Sequence, residues 1–417
     1  MISTLGVQAR ESAEPLTPPA NGALAGKRIC YVSTGAFSGS TRTMKQAASL
    51  TAAGAIVSFV GYTESVPPDI LNTRYNVVCT PYKPASTPEW LAPRLVGVYN
   101  PTIRRARNAW RRVMAPRDLV AAVVSTGADI VQSVDLPALK CASLAARRLG
   151  AVLSFDSHEM WSGFLDNPEL GLSWLDRTLL LRMERKYAPR ADVVFVVSDE
   201  MGRRMRARYG LKSTVTVFNS PPGYLASSTP TAVPVKLVFH GSLAATKNVE
   251  NLILAMTQLK GRATLDVHGG GLTLSEVRLR ELVAENDLQE TVRICGKFRY
   301  EQVLPLLSGY DVGVYAARQI EENFAISLPN KLFDCICAGL AVAMSDFPAI
   351  RDVVERTGCG ICLNPDSTDT IARDLRNLVD DPEAIDEMKT HSREVAPTYA
   401  WEAQGAKIIR AFEDLLS

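Results

Sequence analysis

The sequence predicts an α/β protein built from two doubly wound domains, on three observations. The chain has 417 residues, more than one ordinary core accommodates. Short apolar runs of strand length alternate with segments of helical period through both halves. A stretch rich in Pro, Ser and Thr, 220–234, lies between the halves and reads as a linker. The expected boundaries are a disordered leader over 1–26, a first domain over 27–219, the linker, a second domain over 235–398 and a C-terminal helix over 399–417. The leader lacks the apolar core of a signal peptide. A composition of 47% hydrophobic and 22% charged residues is that of a globular enzyme, and a net charge of +2 offers nucleic acid no bulk attraction. No apolar run approaches the ~18 residues of a membrane span.

The first half opens with a strand over 28–34, RICYVST. The loop Gly35-Ala36-Phe37-Ser38-Gly39-Ser40 and a helix from about Thr41 to Ala53 follow, the way Rossmann-like halves begin. Strands are expected over 55–62 and 76–80. The run 102–117, TIRRARNAWRRVMAPR, carries Arg104, Arg105, Arg107, Arg111, Arg112 and Arg117. Ile103, Ala106, Trp110, Val113 and Met114 fall near one face of it. Such a helix suits an anionic membrane surface, an anionic acceptor such as a lipid diphosphate, or a solvated Arg face over an apolar packing face. Further strands are expected over 129–134 and 151–155. The second leads into Asp156-Ser157-His158-Glu159, which puts His158 at the carboxyl edge of a parallel sheet, where ligands bind. A strand over 192–198, a helix over 199–209 and a strand over 214–218 complete this half.

The second half begins with a strand over 236–240 that leads to a turn ending at Lys247. A strand over 264–268 ends in Gly269-Gly270-Gly271, where a backbone can approach a ligand closely. Strands over 292–295 and 311–315 follow, the first leading into Gly296-Lys297-Phe298-Arg299. The stretch 323–346, NFAISLPNKLFDCICAGLAVAMSD, reads as a polar loop ending at Pro329, a helix bearing Leu332, Phe333, Ile336 and Cys337, and a buried strand over 340–344. A helix N-terminus behind Ser327 and Leu328 offers an anion site. Lys331 adds a cation, and Asp334 lies one turn on, within reach of a ribose hydroxyl. A late strand over 360–363 and helices over 368–379, 382–395 and 401–416 close the chain. The eight cysteines mostly sit in apolar runs and read as buried thiols of a reducing cytoplasm. Cys359 and Cys362 have redox or metal spacing but lie on a strand without a second ligand pair.

The run SLPNKLFDCICAGLAVAMSDFPAIRDVV resembles the donor-binding segment of the family 4 glycosyltransferases, which have the two-domain GT-B fold. The resemblance extends from about Lys27 onward, through DSHE, the valine-serine and asparagine-x-proline markers before the hinge, and the final helix, similar to one that crosses back to the first domain. It implies two Rossmann-like domains facing an inter-domain cleft, with Gly35 bordering acceptor and diphosphate. His158 then contacts the donor sugar, and Lys247 neutralises the diphosphate with the helix N-terminus at Ser327, Leu328 and Lys331. Gly270 and Lys297 belong to the donor-binding edge, the backbone after Gly296 reads the base, and Asp334 holds the ribose. The chain departs from the family twice. The first acid of its paired motif falls at Ile326, with Glu321 and Glu322 out of register. Ser242 stands where an Arg is usual, and Lys331 or Arg318 is the expected replacement.

The resemblance thus implies a retaining, metal-independent hexosyltransferase without cofactor, whose co-substrate is a nucleotide diphosphate sugar. Its acceptor is a hydroxyl of a glycoconjugate, polysaccharide precursor or natural product. Arg104, Arg105, Arg111 and Arg112 are the expected acceptor or membrane surface of a cytoplasmic, peripheral protein. Two other readings are a non-catalytic homologue acting as scaffold, favoured by Ile326 and Ser242, and a sugar-nucleotide epimerase, disfavoured by the acid-poor central stretch.

Overall fold

The computed structural model describes residues 22, 24–34, 41–62, 76–80, 117–165, 173–227, 229–243, 245–270 and 276–417. Most of the expected leader, Gly35 and the Arg-rich segment with Arg104, Arg105, Arg111 and Arg112 lie outside these residues. The chain forms two compact units. One runs to Val217 and includes Gly405–Ser417; the other is Phe218–Gln404.

The first unit is a seven-stranded parallel sheet in the order β3-β2-β1-β4-β5-β6-β7. Its strands are β1 (Arg28–Val32), β2 (Ile56–Tyr62), β3 (Asn76–Thr80), β4 (Ile130–Val134), β5 (Val152–Asp156), β6 (Val193–Val196) and β7 (Thr214–Thr216). Helices Thr41–Ala52, Arg117–Ser125, Asp135–Leu149, Trp174–Tyr187 and Asp199–Tyr209 connect them. Strand order reverses between β1 and β4, which makes a switch point at their carboxyl ends. Both faces of β4 are covered, which is why it reads as an unbroken buried run. The last helix, Trp401–Leu416, brings Phe412 edge-on to Phe195 in this unit's core.

The second unit is a six-stranded parallel sheet in the order β10-β9-β8-β11-β12-β13, reversing between β8 and β11. Its strands are β8 (Val235–Ser242), β9 (Ala263–Gly270), β10 (Val292–Gly296), β11 (Val312–Tyr315), β12 (Ala341–Ser345) and β13 (Gly360–Leu363). The two sheets are the doubly wound pair that the alternating pattern predicts.

Several local expectations change. β8 and β9 run two residues further than expected, pairing Gly241 with Gly269 and Ser242 with Gly270. A Cβ on Gly269 would lie 1.9 Å from the Gly241 carbonyl oxygen, so the close pairing needs glycine there. The expected polar loop before Pro329 contains a helical turn, Glu322–Ile326, that buries Asn323, Ala325 and Ile326. Helix Pro382–Tyr399 passes beyond 395 despite Pro397, with Ala396 and Tyr399 of its last turn buried. The Pro-rich stretch 220–234 is bonded into the second unit. Leu225 N–H donates to Cys337 O at 2.8 Å, and Thr231 to Asp386. Lys389 Nζ holds both Thr229 O and Asp311 Oδ1. Phe218 stacks on Phe333 at 4.5 Å, and Tyr399 packs on both. Among the described residues no helix is long and apolar enough to cross a membrane.

Helix Asn330–Cys337 is the element that positions the second unit's carboxyl edge. Its Leu332, Phe333, Cys335, Ile336 and Cys337 are buried. It approaches β11 so closely that a Cβ on Gly313 would lie 2.2 Å from Cys335 Sγ. Gly313→Ala therefore overpacks this contact and destabilises the protein by about 1–3 kcal/mol. Denaturant unfolding measures the loss, and Cys335→Ala added to Gly313→Ala recovers part of it. Full stability in the single variant would refute the close packing.

Candidate active site

In the first unit the site grows from the end of β5. Asp156, its last residue, is wholly buried. Arg42, from the first helix, donates to Asp156 Oδ1 from Nε at 3.0 Å and Nη2 at 2.7 Å, and Gln46 Nε2 donates to Oδ2 at 2.8 Å. Arg42 Nη1 also donates to Val217 O at 2.5 Å. Burial opposes ionisation of Asp156, but Arg42 and then His158 hold the carboxyl well below the usual range. His158 Nε2 lies 3.1 Å from Asp156 Oδ2, with 27% of its side chain exposed. Burial disfavours the imidazolium. The charge and hydrogen bond of Asp156 outweigh it, with Asp135 contributing, and raise the His158 pKa. His158 is thus a part-exposed imidazole on a buried carboxylate that raises its pKa.

Asp135 lies beside it just after β4 with φ 60°, a left-handed conformation that few residues other than Gly, Asn and Asp adopt. Its carboxylate accepts the Trp161 indole N–H at 2.7 Å and the Leu136 N–H at 2.9 Å. Glu184 accepts the N–H groups of Trp161 and Ser162 at 3.0 and 2.9 Å, which fixes the segment after His158.

In the second unit the parallel strands deliver their carboxyl ends around Tyr315, at the end of β11. The Lys331 ammonium lies 5.3 Å from the Tyr315 ring centre and 5.6 Å from that of Phe239. The Lys247 ammonium lies 4.7 Å from the Phe324 ring centre and 5.7 Å from that of Tyr315, and donates to the Tyr315 hydroxyl at 3.4 Å. The structure therefore brings together the two cations that the sequence places 84 positions apart (331 − 247). Burial, followed by the charge of Lys247, pushes the Lys331 pKa down to about 8. Lys331 lies against Gly241, whose φ is +115°; a Cβ there would be 2.6 Å from Nζ. Lys297 is exposed and its aliphatic chain crosses Gly270, where a Cβ would meet Cε at 2.2 Å. Ser242 is exposed at the end of β8.

Pro329 caps helix Asn330–Cys337, leaving the Asn330 and Lys331 N–H groups without an intrahelical acceptor. Ser327 Oγ is buried with no hydrogen-bond partner among the described residues. The Leu328 side chain is in the core, so its backbone supplies whatever polar contact it makes. Arg318, one expected replacement for the missing Arg, is exposed and donates to Asp366 O at 3.0 Å.

Asp334 is turned into the protein. Its side chain is 3% exposed, pairs with His240 Nε2 at 3.0 Å and accepts the Tyr300 hydroxyl at 3.1 Å. Both carboxylate oxygens are engaged within the protein. Asp334 locks the helix to β8 and to the segment after β10. His240, Tyr300, Tyr315 and Phe324 were not foreseen in this unit, nor Arg42, Asp156 and Asp135 in the first. His240 ends the strand expected over 236–240 as His158 follows one, so the rule that found His158 applies to it equally.

Asp266, His268 and Cys295 bring metal-capable atoms within 4.8 Å of one another. Asp266 already holds Arg293 and accepts the Tyr310 hydroxyl at 2.6 Å, and that hydroxyl lies 2.9 Å from His268 Nε2. The cluster is a satisfied hydrogen-bond network. Cys359 is buried and Cys362 half-buried, both as free thiols.

The family described as "Glycosyl transferase 4-like domain" matches residues 39–221, and that described as "Glycosyl transferases group 1" matches 234–381. An uncharacterized glycosyltransferase of Methanocaldococcus jannaschii is 29% identical over 150 residues, 35% of this chain and 36% of that protein. The GDP-mannose:cellobiosyl-diphosphopolyprenol alpha-mannosyltransferase of Xanthomonas oryzae is 25% identical over 184 residues, 43% of this chain and 47% of that one. These matches thus span between a third and a half of the curated relatives' length. Among solved structures, HepE of Anabaena in complex with UDP has a TM-score of 0.69 at 15% identity, covering 93% of this chain and 100% of that one. Sucrose-phosphate synthase of Thermosynechococcus elongatus has a TM-score of 0.65 at 16% identity, covering 94% and 99%. Two matched domains in the order first unit, second unit, on this pair of sheets, make the chain a glycosyltransferase of the GT-B type.

Proposed function

We propose that the protein is a retaining, family 4-like hexosyltransferase that uses a nucleotide diphosphate sugar and needs no metal or other cofactor. The observation that carries this reading is the pair Lys247 and Lys331, held together at the switch point of the second sheet. Burying two like charges side by side is unfavourable, as the lowered Lys331 pKa records. A diphosphate relieves that repulsion. Two of the relatives point to the same co-substrate class: HepE was solved with UDP-glucose, and the Xanthomonas enzyme is named for GDP-mannose.

In this mechanism Lys247, Lys331, the Ser327 hydroxyl and the helix N-terminus stabilise the charge that develops on the departing diphosphate. The two ammonium groups do the work that a divalent cation does elsewhere. The acceptor hydroxyl attacks the anomeric carbon on the face the diphosphate leaves, and its proton passes to a leaving phosphate oxygen. His158, held by Asp156, hydrogen-bonds a sugar hydroxyl and orients the ring. Lys331 takes the place of the Arg absent at Ser242. Gly270 and Lys297 border the nucleotide, and Asp334 acts indirectly by seating the helix. The acceptor is a hydroxyl of a glycoconjugate, polysaccharide precursor or natural product. A second reading, a non-catalytic scaffold, draws on Ile326, which is fully buried where the family pattern has an acid.

The first test is incubation with a panel of nucleotide sugars, with nucleotide release followed by mass spectrometry. One donor should release nucleotide, and Lys247→Ala should lower that rate at least about 100-fold. Donor binding without release, with any acceptor tried, would favour the scaffold. Isomerised donor would mean an epimerase.

Affinity should also depend on pH. Lys331 in the unliganded site loses its proton near pH 8. A bound diphosphate favours the ammonium, so binding above that pH takes up a proton. Donor affinity is therefore level below pH 8 and falls as pH rises through it, by at most about tenfold per unit. Calorimetry across this range checks the limb, and Lys331→Arg should bind donor without it. A flat wild-type profile would remove Lys331 from the site.

A further inference from the structure

Helix Trp174–Tyr187 of the first unit carries a surface that the transfer reaction does not use. Trp174 is 76% exposed, Leu175 50% and Leu181 36%. Elsewhere among the described residues large exposed apolar side chains occur singly, as at Ile56, Val277 and Ile320. At about 3.6 residues per turn, Trp174, Leu175, Leu181, Arg182, Arg185 and Lys186 fall on one arc of the helix. All six are exposed. Asp176, Leu180, Met183, Glu184 and Tyr187 occupy the opposite, buried arc.

The helix's two carboxylates are thus both turned inward. Asp176 closes the capping box with Ser173. Glu184 accepts two backbone N–H groups and the Tyr209 hydroxyl at 2.6 Å. The outward arc consequently combines an aromatic, two leucines and three cations, with no acid of its own.

We propose that this arc is a docking surface for an anionic lipid bilayer. Charge complementarity selects an anionic partner. The mixture of side chains selects lipid over protein. A helix lying flat places Trp174, Leu175 and Leu181 at the headgroup boundary, where Trp is favoured, while Arg182, Arg185 and Lys186 reach up to phosphates. Each cation near such a surface adds to the attraction, and salt screens it. This helix is a different stretch of sequence from Arg104 to Arg112, the expected acceptor or membrane surface, which lies outside the described residues.

The test is sedimentation of the full chain with vesicles of phosphatidylglycerol and phosphatidylcholine, beside vesicles of phosphatidylcholine alone. The wild type should sediment with the mixed vesicles, not with the neutral ones, and should be released by high salt. W174S/L175S and R182Q/R185Q should each lower the partition coefficient about tenfold or more. Both should keep the wild-type melting temperature and donor-dependent nucleotide release, since they alter only exposed side chains outside the site. Absence of wild-type binding to anionic vesicles overturns the proposal. So does binding that both variants retain. Capture by immobilised polyglutamate with no vesicle binding also overturns it, in favour of an acidic protein partner.

Discussion

The second unit depends on the buried link between Asp334, His240 and Tyr300. A carboxylate so deeply buried persists only when its oxygens are satisfied, and each has a partner about 3 Å away. The link ties three elements that are distant in sequence: the helix after Pro329, the end of β8, and the segment after β10. Lys331 precedes Asp334 by three residues and so rises from the same face of the helix. Fixing Asp334 fixes where the Lys331 chain begins, and Gly241 fixes where it ends. The ammonium then has little freedom besides the space against Tyr315.

The first unit uses the same pairing of aspartate and histidine at a sheet's carboxyl edge, with a different degree of exposure. Asp156 has Arg42 and Gln46 as well as His158, and its charge raises the His158 pKa. The His158 side chain is 27% exposed, whereas that of His240 is 4% exposed. One pair therefore presents an imidazole to solvent, and the other closes a joint in the interior. Burial separates the two roles, since the residue types and the contact distances are nearly the same.

Much of the architecture was legible in the sequence because parallel strands covered on both faces leave short, unbroken apolar runs, as at Ile29–Val32 and Val193–Val196. The carboxyl-edge positions of His158, Lys247 and Lys331 followed from those runs and the family resemblance. Three features did not follow. The extension of β8 and β9 through Gly241 and Gly269 was hidden because adjacent glycines read as a turn, whereas here close backbone approach needs them. The Glu322–Ile326 turn carries polar residues that read as loop, and its burial comes from tertiary packing. The inward commitment of Asp334 depends on His240, 94 residues away, which no local pattern announces.

The approach of Lys331 to Gly241 also bears on how the chain can vary. A methyl group at position 241 would occupy the space the ammonium now takes, on a backbone whose φ of +115° already disfavours side chains. The long Lys331 side chain can swing aside to admit such a methyl group, but the backbone angle is fixed by the strand end, so any residue other than glycine at 241 carries the conformational cost whatever occupies position 331.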